Sequence, residues 1–74
     1  MIYNLYITYH DKEAGLLLVL ARQNVLRIST SHITNDVSVY YPESKMETIA
    51  VKNILKIELI EENLDNEEYS QERG

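Results

Sequence analysis

Three groups of side chains in this 74-residue chain are of types that can do chemistry. His10, Asp11 and Glu13 bring metal-ligand atoms close together, and His32 with Asp36 makes a looser pair. A metal site needs three or four ligands converging on one point, held by a second layer of hydrogen bonds. Neither set has the spacing of a known ligand motif, so the expectation is polar loop residues and no metal. Ser29 and Ser31 add hydroxyls to His32 and Asp36, which completes the residue types for nucleophilic catalysis. A triad is defined by geometry, however, and loops contain these residues by composition alone. Catalysis also wants a concave pocket, often about 300 Å3 or more, for which so short a chain has little room. The expectation is a protein that is not an enzyme and holds no cofactor. The only glycines are Gly15 and Gly74, so there is no glycine-rich phosphate loop.

Binding residues are easier to name. The six tyrosines suit either sheet packing or stacking on single-stranded nucleic acid. Charge decides between them. Met1 to Ile57 carry five acids against six bases, a balance of +1, and phosphate binding needs a surplus of Lys and Arg. Direct nucleic-acid binding is therefore not expected. Tyr6 and Tyr40 alternate out of phase with the aliphatics around them. That places them on exposed faces, where tyrosine marks protein interfaces.

The overall charge of −5 sits at the C-terminal end. Glu58, Glu61, Glu62, Asp65, Glu67, Glu68 and Glu72 stand against the single base Arg73. Acidic ends of this kind are often interaction tails. The expected partner surface is Glu58, Glu61, Glu62, Asp65, Glu67 and Glu68 with Tyr6 and Tyr40, and the expected partner is a basic protein. In composition the chain resembles the small acidic phage or mobile-element proteins that block nucleic-acid-binding machinery by mimicking phosphate charge. That resemblance implies an inhibitor that occupies its partner's surface. The alternative is an assembly subunit that works by strand pairing and dimerisation, with a tail that only solubilises.

The elements that must position these residues read as β-structure. In Met46 to Glu61, Leu55, Ile57 and Leu59 alternate with Lys56 and Glu58. Period-2 alternation of this kind marks a half-buried strand. Ile49 and Val51 alternate with Thr48 and Ala50 just before it, and Lys52-Asn53 forms a tight connection. This strand–turn–strand unit is read as the floor of the core, with Leu55, Ile57 and Leu59 facing inward. Ile2 to Tyr9 is a first strand with Tyr3, Leu5, Ile7 and Tyr9 on one face. His10 to Gly15 is a loop in which Gly15 is free to take a positive φ. Val37 to Tyr41 is a strand ended by Pro42, and Glu43-Ser44-Lys45 is a hairpin loop. Leu16 to Ile28 has two readings. It is either two strands joined by a turn at Gln23-Asn24, or a helix over about 13–26 with Ala14, Leu17, Leu18, Ala21 and Val25 on one face. The alternating context on either side favours strands. The expected fold is mostly β, a small antiparallel sheet curled into a barrel or roll of five to six short strands, with α+β as the alternative.

A single domain over 1–61 and an acidic, disordered tail over 62–74 follow from the fall in hydrophobicity after Glu61. Domains of this length bury only about 60% of their unfolded surface. With no cysteine to form a disulfide, a partner subunit is the remaining support, so a homodimer is expected. The longest apolar run, Leu16 to Ala21, is too short for a signal peptide or a membrane span, which points to the cytosol.

Overall fold

The computed structural model describes residues 1–62. Six strands follow one another: β1 (Tyr3–Asp11), β2 (Leu16–Val25), β3 (Arg27–Ser31), β4 (Asp36–Tyr41), β5 (Lys45–Ala50) and β6 (Ile54–Glu61). They form two antiparallel three-stranded sheets, ordered β2-β1-β6 and β3-β4-β5. The chain is mostly β, as the alternation predicts, but the sheets do not close into a barrel. Residues 13–26 form the end of a hairpin loop and an edge strand, so the helical alternative is overturned. The proposed tail beyond Glu62, with Asp65, Glu67 and Glu68, lies outside the described residues.

Three short hairpins do the turning. In the first, Asp11 pairs with Leu16 and its Oδ1 accepts from the backbone N–H groups of Glu13 (3.1 Å) and Ala14 (3.2 Å). Gly15 then takes a φ of +71° and donates to the Asp11 carbonyl at 2.8 Å. The second repeats the design. Ser31 pairs with Asp36, its Oγ accepts from Thr34 N–H at 3.3 Å, and Asn35 takes a φ of +59° and donates to the Ser31 carbonyl at 3.0 Å. Short oxygen-bearing side chains satisfy the turn's own N–H groups, and Gly or Asn tolerates the left-handed residue that closes it. The third runs through Pro42 to Ser44, between the paired residues Tyr41 and Lys45.

The core lies between the sheets. Leu5 and Ile7 of β1, Val25 at the end of β2, Val37 and Val39 of β4 and Ile49 of β5 are its buried members. Tyr3, Leu20, Ile28, Tyr41, Val51, Ile54 and Ile57 pack around them. The predicted inner faces of β1 and β4 are thus the observed ones.

Two pairings differ from the sequence reading. β5 and β6 do not pair with each other; β5 joins β4 and β6 joins β1. The Lys52-Asn53 connection is a corner between sheets, turned by Asn53 at φ +59°. Alternation within each strand cannot tell a hairpin from such a crossover. Likewise β2 and β3 do not fold back at Gln23-Asn24. Tyr3 pairs with Val25 and Leu5 with Arg22, so β2 carries one extra residue there, a bulge with Asn24 at φ +65°. The strand bends and passes to the other sheet, where Leu26 N–H donates to the Tyr40 carbonyl at 2.7 Å.

A second bulge corrects the register of β6. Thr8 pairs with Lys56 and Tyr9 with Ile54, leaving Leu55 as the extra residue. Beyond it Ile57 lies opposite Ile7 and Leu59 opposite Leu5, as the period-2 pattern predicts. Before it the phase reverses, so Ile54 takes the inward place and Leu55 is 62% exposed. A bulge shifts every side chain on one side of it to the other face.

Candidate interaction surface

Two of the side chains of catalytic or ligand type, Asp11 and Ser31, are occupied by folding. Asp11 Oδ1 and Ser31 Oγ are the turn acceptors described above. His32 and Glu13 lie on the hairpin tips. Among the described residues, no hydrogen bond joins the side chains of Ser29, Ser31, His32 and Asp36. No three His, Cys, Asp or Glu side chains among them converge on a point. The cleft beside His10, Asp11 and Lys52, about 370 Å3, is open to solvent and carries charges of both signs.

Among the described residues, those expected to bind a partner are spread over both sheets. Tyr6 stands on the outer face of the first sheet, in a row with Ala21 and Glu58. Tyr40 stands on the outer face of the second, where the Arg27 guanidinium lies 3.9 Å from its ring centroid. Glu58 is exposed, and Lys56 Nζ lies 3.8 Å from its Oε1, which offsets part of its charge. Glu61 and Glu62 are exposed at the end of β6, and Glu62 N–H donates to the Ile2 carbonyl at 2.8 Å.

A cluster that the sequence reading passed over spans the two sheets. Arg22 of β2 sets Nε 3.0 Å from Glu47 Oε1 and Nη2 3.0 Å from Oε2, a fork-to-fork pair. Tyr41 donates its hydroxyl to the same Glu47 Oε1 at 2.6 Å, and Arg22 Nη1 reaches back to the Ala21 carbonyl at 2.9 Å. The hydrogen bonds from Arg22 and then Tyr41 hold the Glu47 carboxylate below its usual range. Glu47 in turn raises the Arg22 guanidinium further. Tyr41 is pushed up first by burial and next by its bond to Glu47. One signal was present in the sequence: Glu47 falls in phase with Ile49 and Val51, and an inward carboxylate needs a partner. Which residue supplies that partner depends on how the sheets face each other, which strand patterns do not show.

The most distinctive surface is the free edge of β2. Among the described residues β2 pairs with β1 alone. From Leu16 to Ala21 it carries no charge and no proline. Leu16, Leu17 and Val19 are 56%, 61% and 61% exposed. Leu17 and Val19 lie on the outer face, opposite His10 and Thr8, and Leu16 and Leu18 lie on the inner one, opposite Asp11 and Tyr9. Compared with family models, curated proteins and solved structures, the chain matches none.

Proposed function

We propose that the chain is a non-enzymatic protein-binding module that works by strand addition along β2. The observation that carries this reading is the uncharged edge Leu16–Ala21 with its aliphatic side chains in solvent. An edge strand presents a row of backbone N–H and C=O groups ready to pair, and folded proteins ordinarily blunt such edges with charge or proline. An added strand would gain main-chain hydrogen bonds from that row and specificity from the alternating side chains. Hydroxyl and carboxylate groups already committed to turns support a binding role over a catalytic one.

A second reading keeps the acidic end as the partner surface for a basic protein, as an inhibitor or nucleic-acid mimic would use it. It is favoured by the exposed Glu61 and Glu62, which lead directly into the acids of 63–74. One experiment separates the two. A partner captured by the full chain from lysate is purified and titrated against the wild type, Val19→Lys, and the Glu61→Gln/Glu62→Gln pair. Strand addition predicts at least about a ten-fold loss for Val19→Lys, with little change on adding salt. Loss only in the glutamine pair, steepest at low salt, favours the acidic end. If neither variant loses affinity, both readings fail.

A further inference from the structure

We infer that the strand added along β2 is β2 of a second copy of this chain, antiparallel, with Leu18 opposite Leu18. This names the partner for the reading just given and rests on it. The same patch on two copies can complete itself, which is how two-fold dimers close. A two-fold axis perpendicular to the sheet keeps inner faces inner and outer faces outer. Residues opposite each other on antiparallel strands share a face, so the axis must pass beside a single residue that meets its own copy.

Two centres fit the apolar stretch. Centring on Val19 sets Leu16 opposite Arg22 of the other copy, whose guanidinium is held by Glu47. Centring on Leu18 sets Leu16 opposite Leu20 and Leu17 opposite Val19. All five positions then meet aliphatic partners, and the exposed Leu16, Leu17 and Val19 each gain an aliphatic cross-strand neighbour. No like charges face each other anywhere along this joint. The two sheets become one of six strands, ordered β6-β1-β2-β2-β1-β6, which removes the uncharged edge altogether. A joint of five residue pairs lies below the roughly 1,200 Å2 typical of tight complexes, so the dimer is expected to form at micromolar concentration rather than nanomolar.

The chain has no cysteine, so introduced thiols report on the joint directly. Leu17→Cys and Val19→Cys alter exposed side chains, and circular dichroism first checks that both variants melt with the wild type. They are then oxidised separately and mixed, in the full chain at tens of micromolar. In the proposed register the thiol of a Leu17→Cys copy meets the thiol of a Val19→Cys copy within bridging distance. Two copies of the same variant place their thiols on the diagonal, about 7–8 Å apart and beyond easy bridging. The mixture should therefore give at least about five-fold more disulfide dimer than either variant alone. Light scattering on the wild type should give twice the chain mass. Preferential cross-linking of Val19→Cys with itself overturns the register. A monomer mass with no cross-link overturns the second copy as partner. Binding of another protein through β2 would still stand or fall on the Val19→Lys titration above, so the two failures are distinguishable.

Discussion

The first sheet has two edges, and they are written in opposite ways. β6 carries Lys56, Glu58 and Glu61 along its length and a bulge at Leu55 that twists it out of a regular ladder. Charges and bulges are how natural sheets discourage stray pairing. β2 carries neither over Leu16–Ala21; its bulge and its first charge come only at the far end, where Arg22 is tied across to Glu47. So the charged half of β2 is pinned to the second sheet, and the apolar half is left with an open side. The contrast is that one edge carries the features that guard a sheet against pairing and the other, over Leu16–Ala21, does not.

The largest effect reads the bulge in β6. Ile57 packs on the core opposite the buried Ile7, so Ile57→Asp puts a carboxylate among aliphatics with no partner. The cost should be several kcal/mol, close to the whole stability of a domain this size. Leu55→Asp, two residues earlier in the same apparent alternation, should cost less than about 0.5 kcal/mol because Leu55 is already in water. Thermal melts of both by circular dichroism decide the matter, and equal losses would mean that Leu55 faces inward.

The next effect belongs to β2. If the strand pairs with a second copy, the melting temperature must depend on protein concentration. A ten-fold change is worth up to about 1.4 kcal/mol per dimer, a shift of a few degrees for a chain this short. Val19→Lys should abolish that dependence while leaving the dilute-limit melt unchanged. A wild-type melt that is flat over a hundred-fold range in concentration would put β2 on the same footing as β6.

How far the sequence carried this contrast depends on the range of the interaction. Strand alternation, the inner faces of β1 and β4, the positive φ at Gly15 and the hairpin at Glu43-Ser44 are local, and local patterns showed them, although Lys45, read as part of that loop, already belongs to β5. The Leu55 bulge was hidden because Leu55, Ile57 and Leu59 keep perfect period 2 in the sequence; only the pairing with Thr8 and Tyr9 reveals the extra residue. The crossover at Lys52-Asn53 was hidden for a similar reason, since a corner between sheets and a hairpin turn use the same residue types. The apolar run from Leu16 to Ala21 does not itself show which of its faces is covered. Leu17 and Val19 are exposed because they lie on the outer face of the first sheet, which is a fact of topology and not of the run itself. Of the expected partner residues, Tyr6 and Tyr40 do face outward, but on different sheets.

A smaller effect probes the pin at the charged end of β2. Arg22 and Glu47 are each about a third exposed, at 37% and 35% of their side chains. Solvent screening therefore limits the pair, and Glu47→Gln should cost about 1 kcal/mol, the range of an accessible ion pair plus a hydrogen bond. The pH dependence has a definite sign on both sides. Glu47 titrates below its ordinary value of 4.5 in the folded chain, so its contribution is complete above that value and is lost as pH falls through and below it. Tyr41 holds its proton above the ordinary 10.0, so its contribution is complete below pH 10 and is lost as pH rises past it. Melts of the wild type and Glu47→Gln between pH 3 and 7 should converge at the acid end. A difference that persists unchanged at pH 3 would show that the carboxylate charge is not what Arg22 holds.

The smallest change in stability gives the sharpest test of the edge argument. Lys56 and Glu58 are exposed, and their 3.8 Å contact is of the kind that contributes between nothing and about 0.5 kcal/mol. Replacing both, Lys56→Thr with Glu58→Thr, should barely move the melt, since threonine suits a strand. Yet the two charges are most of what separates β6 from β2. With them gone, β6 keeps Leu55, Leu59 and Ile60 in solvent and loses the charged side chains that guard its edge. A chain with two receptive edges can add copies at both, so the expected product is an open series of oligomers, read by light scattering as a mass that climbs with concentration. If the double variant keeps the wild-type mass, the bulge at Leu55 guards that edge unaided, and Leu55 deletion, which would restore a regular ladder, becomes the change expected to open it.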